Sequence, residues 1–282
     1  MVMKAVGLSL GRKKGCRPFK DYYAEWIHAL KATLLPLLRR SLSDSSPAAL
    51  AAHVARLHRH FLAYYAAQDG AASADVAQLL FPTWRSPLER PFLWLGDFHP
   101  FVFTNLLRAF LDQRLDVGEE GDGEEGDGPR RGYDYRTLLE VSKKHRPPED
   151  PWPVAVAWEG SSRAVRRRLE EVERGLRLIV PEVGARARAA EEALPGRMAG
   201  DWKREGRVGE AMREHMEEMV GVFVHANRLR RGVVADLVGV MDVYQAALFL
   251  EGLAQFHVGF QDPELLAQFQ RCKVNLSISD LI

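Results

Sequence analysis

The 282-residue chain is poor in cysteine, in net charge and in long apolar runs, and each lack excludes a class of protein. Two cysteines, Cys16 and Cys272, cannot form a disulfide framework, and they fit a reducing compartment. Lys and Arg number 39 against 38 Asp and Glu, so the net charge of +1 implies no general attraction to nucleic acid. No apolar run approaches the roughly 20 residues of a membrane-spanning helix. The N-terminal residue order does not fit a secretory signal, so we expect a protein of the cytoplasm or nucleus.

Catalytic motifs are also lacking. The chain has no Gly-x-Ser-x-Gly elbow, no Walker or Rossmann glycine loop, and no cysteine in a recognisable protease signature. His53 and His60 share a helix face but lie two turns apart, too far for one metal ion, so we interpret them as structural histidines. The sequence therefore predicts a protein that is not an enzyme, with no metal site and no cofactor.

Apolar residues recur at helical spacing along most of the chain. One stripe runs from Phe19 through Trp26 to Leu30, and Ser46-Pro47 is a typical start for a second helix. Breaks are expected where proline or glycine interrupts the pattern, at Pro36, Gly70, Pro82, Pro181 and Pro195-Gly196. No stretch alternates as a strand would. We predict an all-α, single-domain helical bundle of about seven to nine helices.

Two irregular stretches divide the predicted bundle. Residues 118–128, GEEGDGEEGDG, have almost no apolar content and predict a disordered acidic loop. Its carboxylates lack the register of a calcium loop, so at most weak attraction of calcium is expected. Residues 146–153 predict a proline-rich linker. The expected organisation is a basic flexible arm at 1–18, a helical domain at 19–262, and a short C-terminal helix and tail at 263–282.

The most informative segment runs from residue 81 to 107, FPTWRSPLERPFLWLGDFHPFVFTNLL. Ser86-Pro87-Leu88-Glu89 has the order of a capping box with proline at the first helical position. We therefore predict a helix that contains Phe92, Trp94 and Leu95, then a break at Gly96 and Pro100 before a second helix. The segment is expected to form the aromatic core of a two-helix corner. The predicted structural core residues are Trp26, Trp84, Phe92 and Trp94.

This segment resembles the central motif of the plant delay-of-germination domain, through Trp84–Arg90 (WRSPLER), Phe92–Asp97 (FLWLGD) and His99-Pro100. Two further blocks agree with that domain. Phe19–Trp26 (FKDYYAEW) resembles its opening helix, and the closing helices are similar to ANRLRR at 226–231 and VMDVYQAALFL at 240–250. Together the blocks span about residues 19 to 260. The residues of the central motif are most similar to those of the inaperturate pollen branch of the family.

The resemblance implies several functions, which depend on the branch. The inaperturate pollen branch implies a non-enzymatic interaction scaffold that marks plasma-membrane sites where exine deposition is prevented, together with a protein partner of the pollen aperture pathway. The alternative is a dormancy-type regulator that binds protein phosphatases, a small ligand such as haem, or both, although no histidine pair suggests itself as axial ligands. The transcription-factor branch carries a leucine zipper before the domain. Fewer than 20 residues precede the first helix here, so no direct DNA binding is expected, and the oligomeric state is left open.

Two sets of charged residues are candidates for contacts. We expect polar side chains of the family motifs to be exposed for a protein partner, or else to form internal ion pairs that fix helix packing. The N-terminal basic cluster could favour peripheral binding to an anionic leaflet, act as a weak nuclear signal, or be a soluble tail. The partner candidates are Glu89, Arg90, Asp97, Arg228 and Arg230, and the anionic-surface candidates are Lys4, Arg12, Lys13, Lys14, Arg17 and Lys20.

Overall fold

The computed structural model describes residues 18–43, 46–112, 158, 162–205 and 209–271. The predicted acidic loop, the proline-rich linker and nearly all of the basic arm lie outside these ranges. The described chain is a single helical domain, which confirms the predicted fold class. Its α-helices are α1 (Phe19–Ala29), α2 (Leu35–Ser43), α3 (Pro47–Asp75), α4 (Ala77–Leu80), α5 (Phe101–Asp112), α6 (Ser162–Glu205), α7 (Gly209–Val240), α8 (Val243–Gly259) and α9 (Pro263–Arg271).

Helices α1 and α2 are one continuous helix with a π-helical segment, Leu30–Leu34, between them. With α1 and α2 counted as one helix, the described residues contain eight helices. The wide turn lies just before Pro36, which has no amide hydrogen for the carbonyl of Ala32. The predicted interruption at Pro36 is therefore a local widening of the helix.

Helix α3 begins where its sequence predicts, because the Ser46 hydroxyl accepts a hydrogen bond from the amide of Ala49 at 3.4 Å. It continues through Gly70, where the sequence pattern predicted its end. Its buried face carries four aliphatic residues, three aromatic residues and one glutamine, of which Tyr64 and Gln68 belong to the site described below. These are Leu50, Val54, Leu57, Phe61, Tyr64, Tyr65, Gln68 and Ala72.

Helix α8 lies at the centre of the domain and packs against α3, α2 and α5. Every residue from Gln245 to His257 is buried, as expected of a mostly apolar helix, and the buried Glu251 pairs with Arg39 at 2.9 Å. Asp242 and Gln245 close its N-terminus with a capping box. No helix among the described residues has the length and apolar content needed to cross a membrane.

Helices α6 and α7 pack against each other over much of their length, and α7 also packs on α3. Helix α6 is helical throughout and contains both Pro181 and Pro195, so the predicted end at Pro181 was wrong. A proline inside a helix costs about 3 kcal/mol. Buried contacts that flank Pro181, at Leu176, Val183 and Ala187, offset that cost.

The aromatic corner differs from its prediction. Residues 87–89 form a turn, a short 3₁₀ helix follows at Arg90–Phe92, and two strands, β1 (Leu93–Trp94) and β2 (Asp97–Phe98), pair in antiparallel fashion. The helix expected to contain Phe92, Trp94 and Leu95 was therefore wrong. The capping-box residues are present, but Ser86 instead accepts a hydrogen bond from the amide of Leu88 at 3.3 Å. The second predicted helix of the corner is α5.

Candidate functional site

The tight turn of the β1–β2 hairpin depends on two residues with positive φ. Leu95 has a φ of 47° and Gly96 a φ of 85°, a pairing that suits the twist of a two-residue hairpin turn. A Cβ at position 96 would stand 2.9 Å from the carbonyl carbon of Leu79 and 2.9 Å from the ring of Phe223. Glycine is therefore required here both for its backbone conformation and for space.

Asp97, at the start of β2, is the acceptor at the centre of a buried polar cluster. Its Oδ2 lies 3.0 Å from Arg85 Nη2, and the hydroxyl of Tyr64 donates to the same oxygen at 2.6 Å. Gln68 Nε2 donates to it at 2.5 Å, and the amide of Phe98 donates to Oδ1 at 2.7 Å. Burial would raise the pKa of Asp97, but the charges of Arg85 and Arg230 and the hydrogen bond from Tyr64 together outweigh it and bring the pKa to about 2. Asp97 is therefore a carboxylate at neutral pH.

Glu89 is the second acid of the cluster. The Tyr23 hydroxyl donates to its Oε1 at 2.6 Å, and Gln261 Nε2 donates to the same atom at 2.9 Å. Arg85 Nη1 lies 3.8 Å from Oε2, beyond hydrogen-bond range. Burial raises the pKa of Glu89, against the opposing charge of Arg85. Arg85 thus stands between two carboxylates, and its guanidinium also lies over the Tyr23 ring, 4.6 Å from the centroid.

Arg230, on α7, holds the hairpin through its backbone. Its Nε donates to the carbonyl of Phe98 at 2.7 Å, and Nη2 donates to the carbonyls of Trp94, Leu95 and Asp97. Its guanidinium also lies 5.6 Å from the centre of a Trp94 ring. One side chain more than 130 residues away in sequence therefore binds both strands and the turn.

The predicted exposure of the partner candidates was wrong for Glu89, Asp97 and Arg230, each 0% exposed. Their hydrogen bonds lie inside the domain, so these three side chains agree with the alternative in which the motif residues fix packing. Arg90 and Arg228 are exposed. Arg90 Nη2 donates to the carbonyl of Thr83 at 2.9 Å, which leaves the rest of its guanidinium on the outer face of the corner.

The aromatic residues divide into two groups. Trp26 is buried, with 3% exposure, and stacks between the rings of His60 and Tyr64. The other three predicted core residues, Trp84, Phe92 and Trp94, are half-buried and pack against the core. Trp84 Nε1 donates to the carbonyl of Gln78 at 3.1 Å.

Among the anionic-surface candidates, Lys20 is exposed, and Lys4, Arg12, Lys13, Lys14 and Arg17 lie outside the described residues.

His257, on α8, lies beside the cluster without a hydrogen bond on either ring nitrogen. Aromatic rings enclose it, the nearest being that of Phe98 at 4.8 Å between centroids. Burial lowers its pKa to about 3, so the imidazole is neutral. Aromatic rings surround His257, and His60 Nε2 is hydrogen-bonded to the carbonyl of Trp26 at 3.1 Å, so neither of these two rings presents a free, open Nε2 to a haem iron. No group of three metal-ligating side chains occurs in the part of the chain that the structure describes.

The cluster is sealed from solvent and therefore fixes the corner in place without offering a substrate site. Sequence reasoning missed Tyr23, Tyr64 and Arg85 as its members, and it missed His257 as the ring beside it. Their helical spacing marks Tyr23 and Tyr64 as core residues only, because an apolar stripe does not show which aromatic hydroxyl meets an acid. The spacing of Arg85 and Glu89 by four residues was the one local signal available.

The chain is similar in sequence to several known plant proteins. The family model described as seed dormancy control (DOG1) matches residues 34–109, the range that contains Tyr64, Arg85 and the hairpin. Protein INAPERTURATE POLLEN1 of Arabidopsis thaliana is 38% identical over 278 residues, covering 92% of this chain and 95% of that protein. Its rice homolog (Oryza sativa subsp. japonica) is 33% identical over 92% of this chain and 91% of its own length. The wheat transcription factor HBP-1b(c38) is 30% identical over 35% of this chain and 30% of its own.

Proposed function

Since this chain belongs to the family of the Arabidopsis protein INAPERTURATE POLLEN1, we propose that it is a pollen aperture factor that acts as a non-catalytic interaction scaffold. The single observation that carries the proposal is the match along nearly the whole length of both proteins. The match to transcription factors is confined to about a third of the chain, so their DNA binding is not carried across.

A scaffold needs a rigid surface, and the corner supplies one. The buried bonds of Arg85, Asp97 and Arg230 hold the hairpin in place, while Phe81 and Arg90 are exposed and Arg90 donates to the carbonyl of Thr83, two residues after Phe81. Phe81 is 66% exposed, an unusual position for a phenylalanine. A large exposed apolar residue beside an arginine is typical of a contact that carries binding energy. We assign the partner-binding surface to this face, defined by Phe81, Thr83, Arg90 and Pro91.

The proposed site of action is the cytoplasmic periphery of the plasma membrane, where the protein and its partner mark regions at which exine is not deposited. Support for membrane contact comes from the basic residues between Lys4 and Lys20. Attraction of one polybasic segment to an anionic leaflet is weak and sensitive to salt. Stable localisation would therefore need the partner as well as the arm.

Complementation tests this function. The chain, fused to a fluorescent protein, is expressed in an Arabidopsis plant that lacks INAPERTURATE POLLEN1. We expect pollen apertures to be restored and fluorescence to collect at restricted regions of the plasma membrane. Stable, abundant protein in pollen that stays without apertures would contradict the proposal.

A further inference from the structure

A cavity of about 430 Å³ opens to solvent between the π-helical segment and helix α3. None of its lining residues is acidic and two are arginines, so its lining is positively charged. Its volume falls within the range of small-molecule sites. The lining residues are Ala29, Thr33, Leu34, Arg56, Arg59 and His60.

The two arginines are free to bind an anion. Arg56 and Arg59 are exposed, and neither forms an ion pair with any carboxylate in the described residues. By contrast, Arg39 on the neighbouring helix α2 lies 2.9 Å from Glu251. Arg59 uses Nε to donate to the carbonyl of Ala55 at 3.3 Å, which leaves both of its terminal nitrogens for a ligand.

His60 and Thr33 add polar atoms to the cavity. The neutral ring of His60 donates from Nε2 to the carbonyl of Trp26 at 3.1 Å, so Nδ1 is its acceptor. Burial, and the nearby charge of Arg56, lower the pKa of His60 and favour this neutral form. The hydroxyl of Thr33 has no hydrogen-bond partner among the described residues, although a helical threonine commonly bonds back to its own helix.

The position of the cavity on a π-helical segment is a further indication of a ligand. Segments of this kind are rare and often occur at functional sites. The wide turn keeps Leu30 and Leu34 in the core while Thr33 stays exposed at the cavity.

We propose that this cavity binds a phosphate monoester, with Arg56 and Arg59 on the phosphate oxygens. Guanidinium groups match phosphate in charge and geometry, and two of them at one opening suit a dianion. In the singly charged form of the phosphate one oxygen carries a proton, and this hydroxyl can donate a hydrogen bond to His60 Nδ1. The cavity is larger than one phosphate, so the phosphate is carried on a polar group, either a soluble sugar phosphate or a lipid headgroup.

Calorimetric titration of the purified full chain with inositol trisphosphate tests the proposal. We expect saturable binding that falls at least about tenfold in the double variant Arg56→Gln, Arg59→Gln. The matched control is Arg174→Gln, an exposed arginine without an ion pair in the described chain, which should bind as the original does. The pair Arg56→Lys, Arg59→Lys keeps the charge and should retain part of the affinity, which separates loss of charge from loss of fold.

Vesicle flotation distinguishes the two sources of phosphate. Binding to phosphatidylinositol bisphosphate vesicles, with none to phosphatidylserine vesicles of equal charge, indicates a lipid headgroup, while titration without flotation indicates a soluble ester. Absence of binding in both assays overturns the proposal. So does binding that is equal in the double variant and the Arg174→Gln control. Both assays use purified protein, so their outcome is independent of the proposed role in pollen.

Discussion

Arg85 and Asp97 form an ion pair, 3.0 Å from Nη2 to Oδ2, in which neither side chain is more than 1% exposed. The pair joins the turn after α4 to the β1–β2 hairpin. Removing two charges from water costs several kcal/mol per ion, which is repaid only when the remaining polar atoms are bonded. Here Tyr64, Gln68 and the amide of Phe98 complete the shell of Asp97. Arg85 is less well supplied, because its Nε and Nη1 have no hydrogen-bond partner in the described residues and its charge lies over the Tyr23 ring instead. The pair therefore depends on the surrounding cluster to stabilise the corner.

The first prediction concerns Asp97→Asn, which leaves the buried Arg85 with only the more distant Glu89 as a charged partner. We expect the free energy of unfolding to fall by about 3–5 kcal/mol, as measured by urea denaturation. The control is Asp112→Asn, which removes the exposed pair between Asp112 and Arg166 and should cost less than about 1 kcal/mol. If the two substitutions lowered the free energy of unfolding equally, the buried pair would contribute no more to stability than the exposed pair.

The second prediction concerns Gly96→Ala. The new Cβ meets the backbone of Leu79 and the ring of Phe223, and alanine disfavours the positive φ. Strain of this kind costs of order 1–3 kcal/mol, and the collision adds to it, so a clear loss of thermal stability is expected. Gly70→Ala is the matched control, because nothing lies within 4 Å of its Cβ and its place inside α3 predicts a gain of roughly 0.5–1 kcal/mol. A Gly96→Ala variant as stable as the original chain would contradict the need for glycine in the turn of the β1–β2 hairpin.

The helices could be predicted from the sequence, but the corner could not. The stripe through Phe19, Tyr23 and Trp26 and the capping residue Ser46 act within a few turns of their own helix. The hairpin instead depends on Arg230, which reaches its carbonyls from α7. A local capping signal at Ser86 was overridden by contacts between residues far apart in sequence.

The buried ionic cluster was unpredictable for a related reason. Its members come from α1, α3 and the corner, with His257 of α8 beside them, and no pattern within one segment shows that they meet. Polar motif residues such as Glu89 and Asp97 are normally placed on the surface because burial of a charge is costly. Only the three-dimensional pairing with Arg85 reverses that expectation. Pro181 was also mispredicted because its contacts are distant in sequence: packing of α6 against α7 keeps this proline inside a helix.

The third prediction uses the pH dependence of stability. Burial lowers the pKa of His257 from 6.5 to about 3, against the raising effect of Asp97 and with the lowering effects of Arg85 and His60. Between these pH values the unfolded chain binds the proton and the folded chain does not, so stability is complete above pH 6.5 and falls as the pH drops toward 3. One such group contributes at most about 1.4 kcal/mol per pH unit.

His257→Leu should therefore reduce the loss of stability in acid. We expect the variant's free energy of unfolding, followed by urea denaturation from neutral pH toward pH 4, to fall less steeply than that of the original chain. His99, whose pKa burial lowers to about 4, keeps part of the slope in both proteins. Parallel curves for the two would mean that His257 finds a hydrogen-bond partner or becomes protonated in the folded state.

The last prediction concerns the proposed partner-binding surface. The double variant Phe81→Ser, Arg90→Glu changes two exposed side chains of that face and none of the buried cluster beneath it. Substitutions at exposed positions usually change stability by no more than about 0.5 kcal/mol, so the melting temperature should stay close to the original. In the complemented plant, however, we expect few or no apertures, because the contact loses its apolar residue and reverses its charge. Leu178→Ser, on α6, removes an apolar residue that is 72% exposed and serves as the control that should restore apertures. Normal apertures from a stable double variant would remove this face from the interface, whereas failure of the control as well would mean that loss of exposed apolar surface anywhere on the domain disables it.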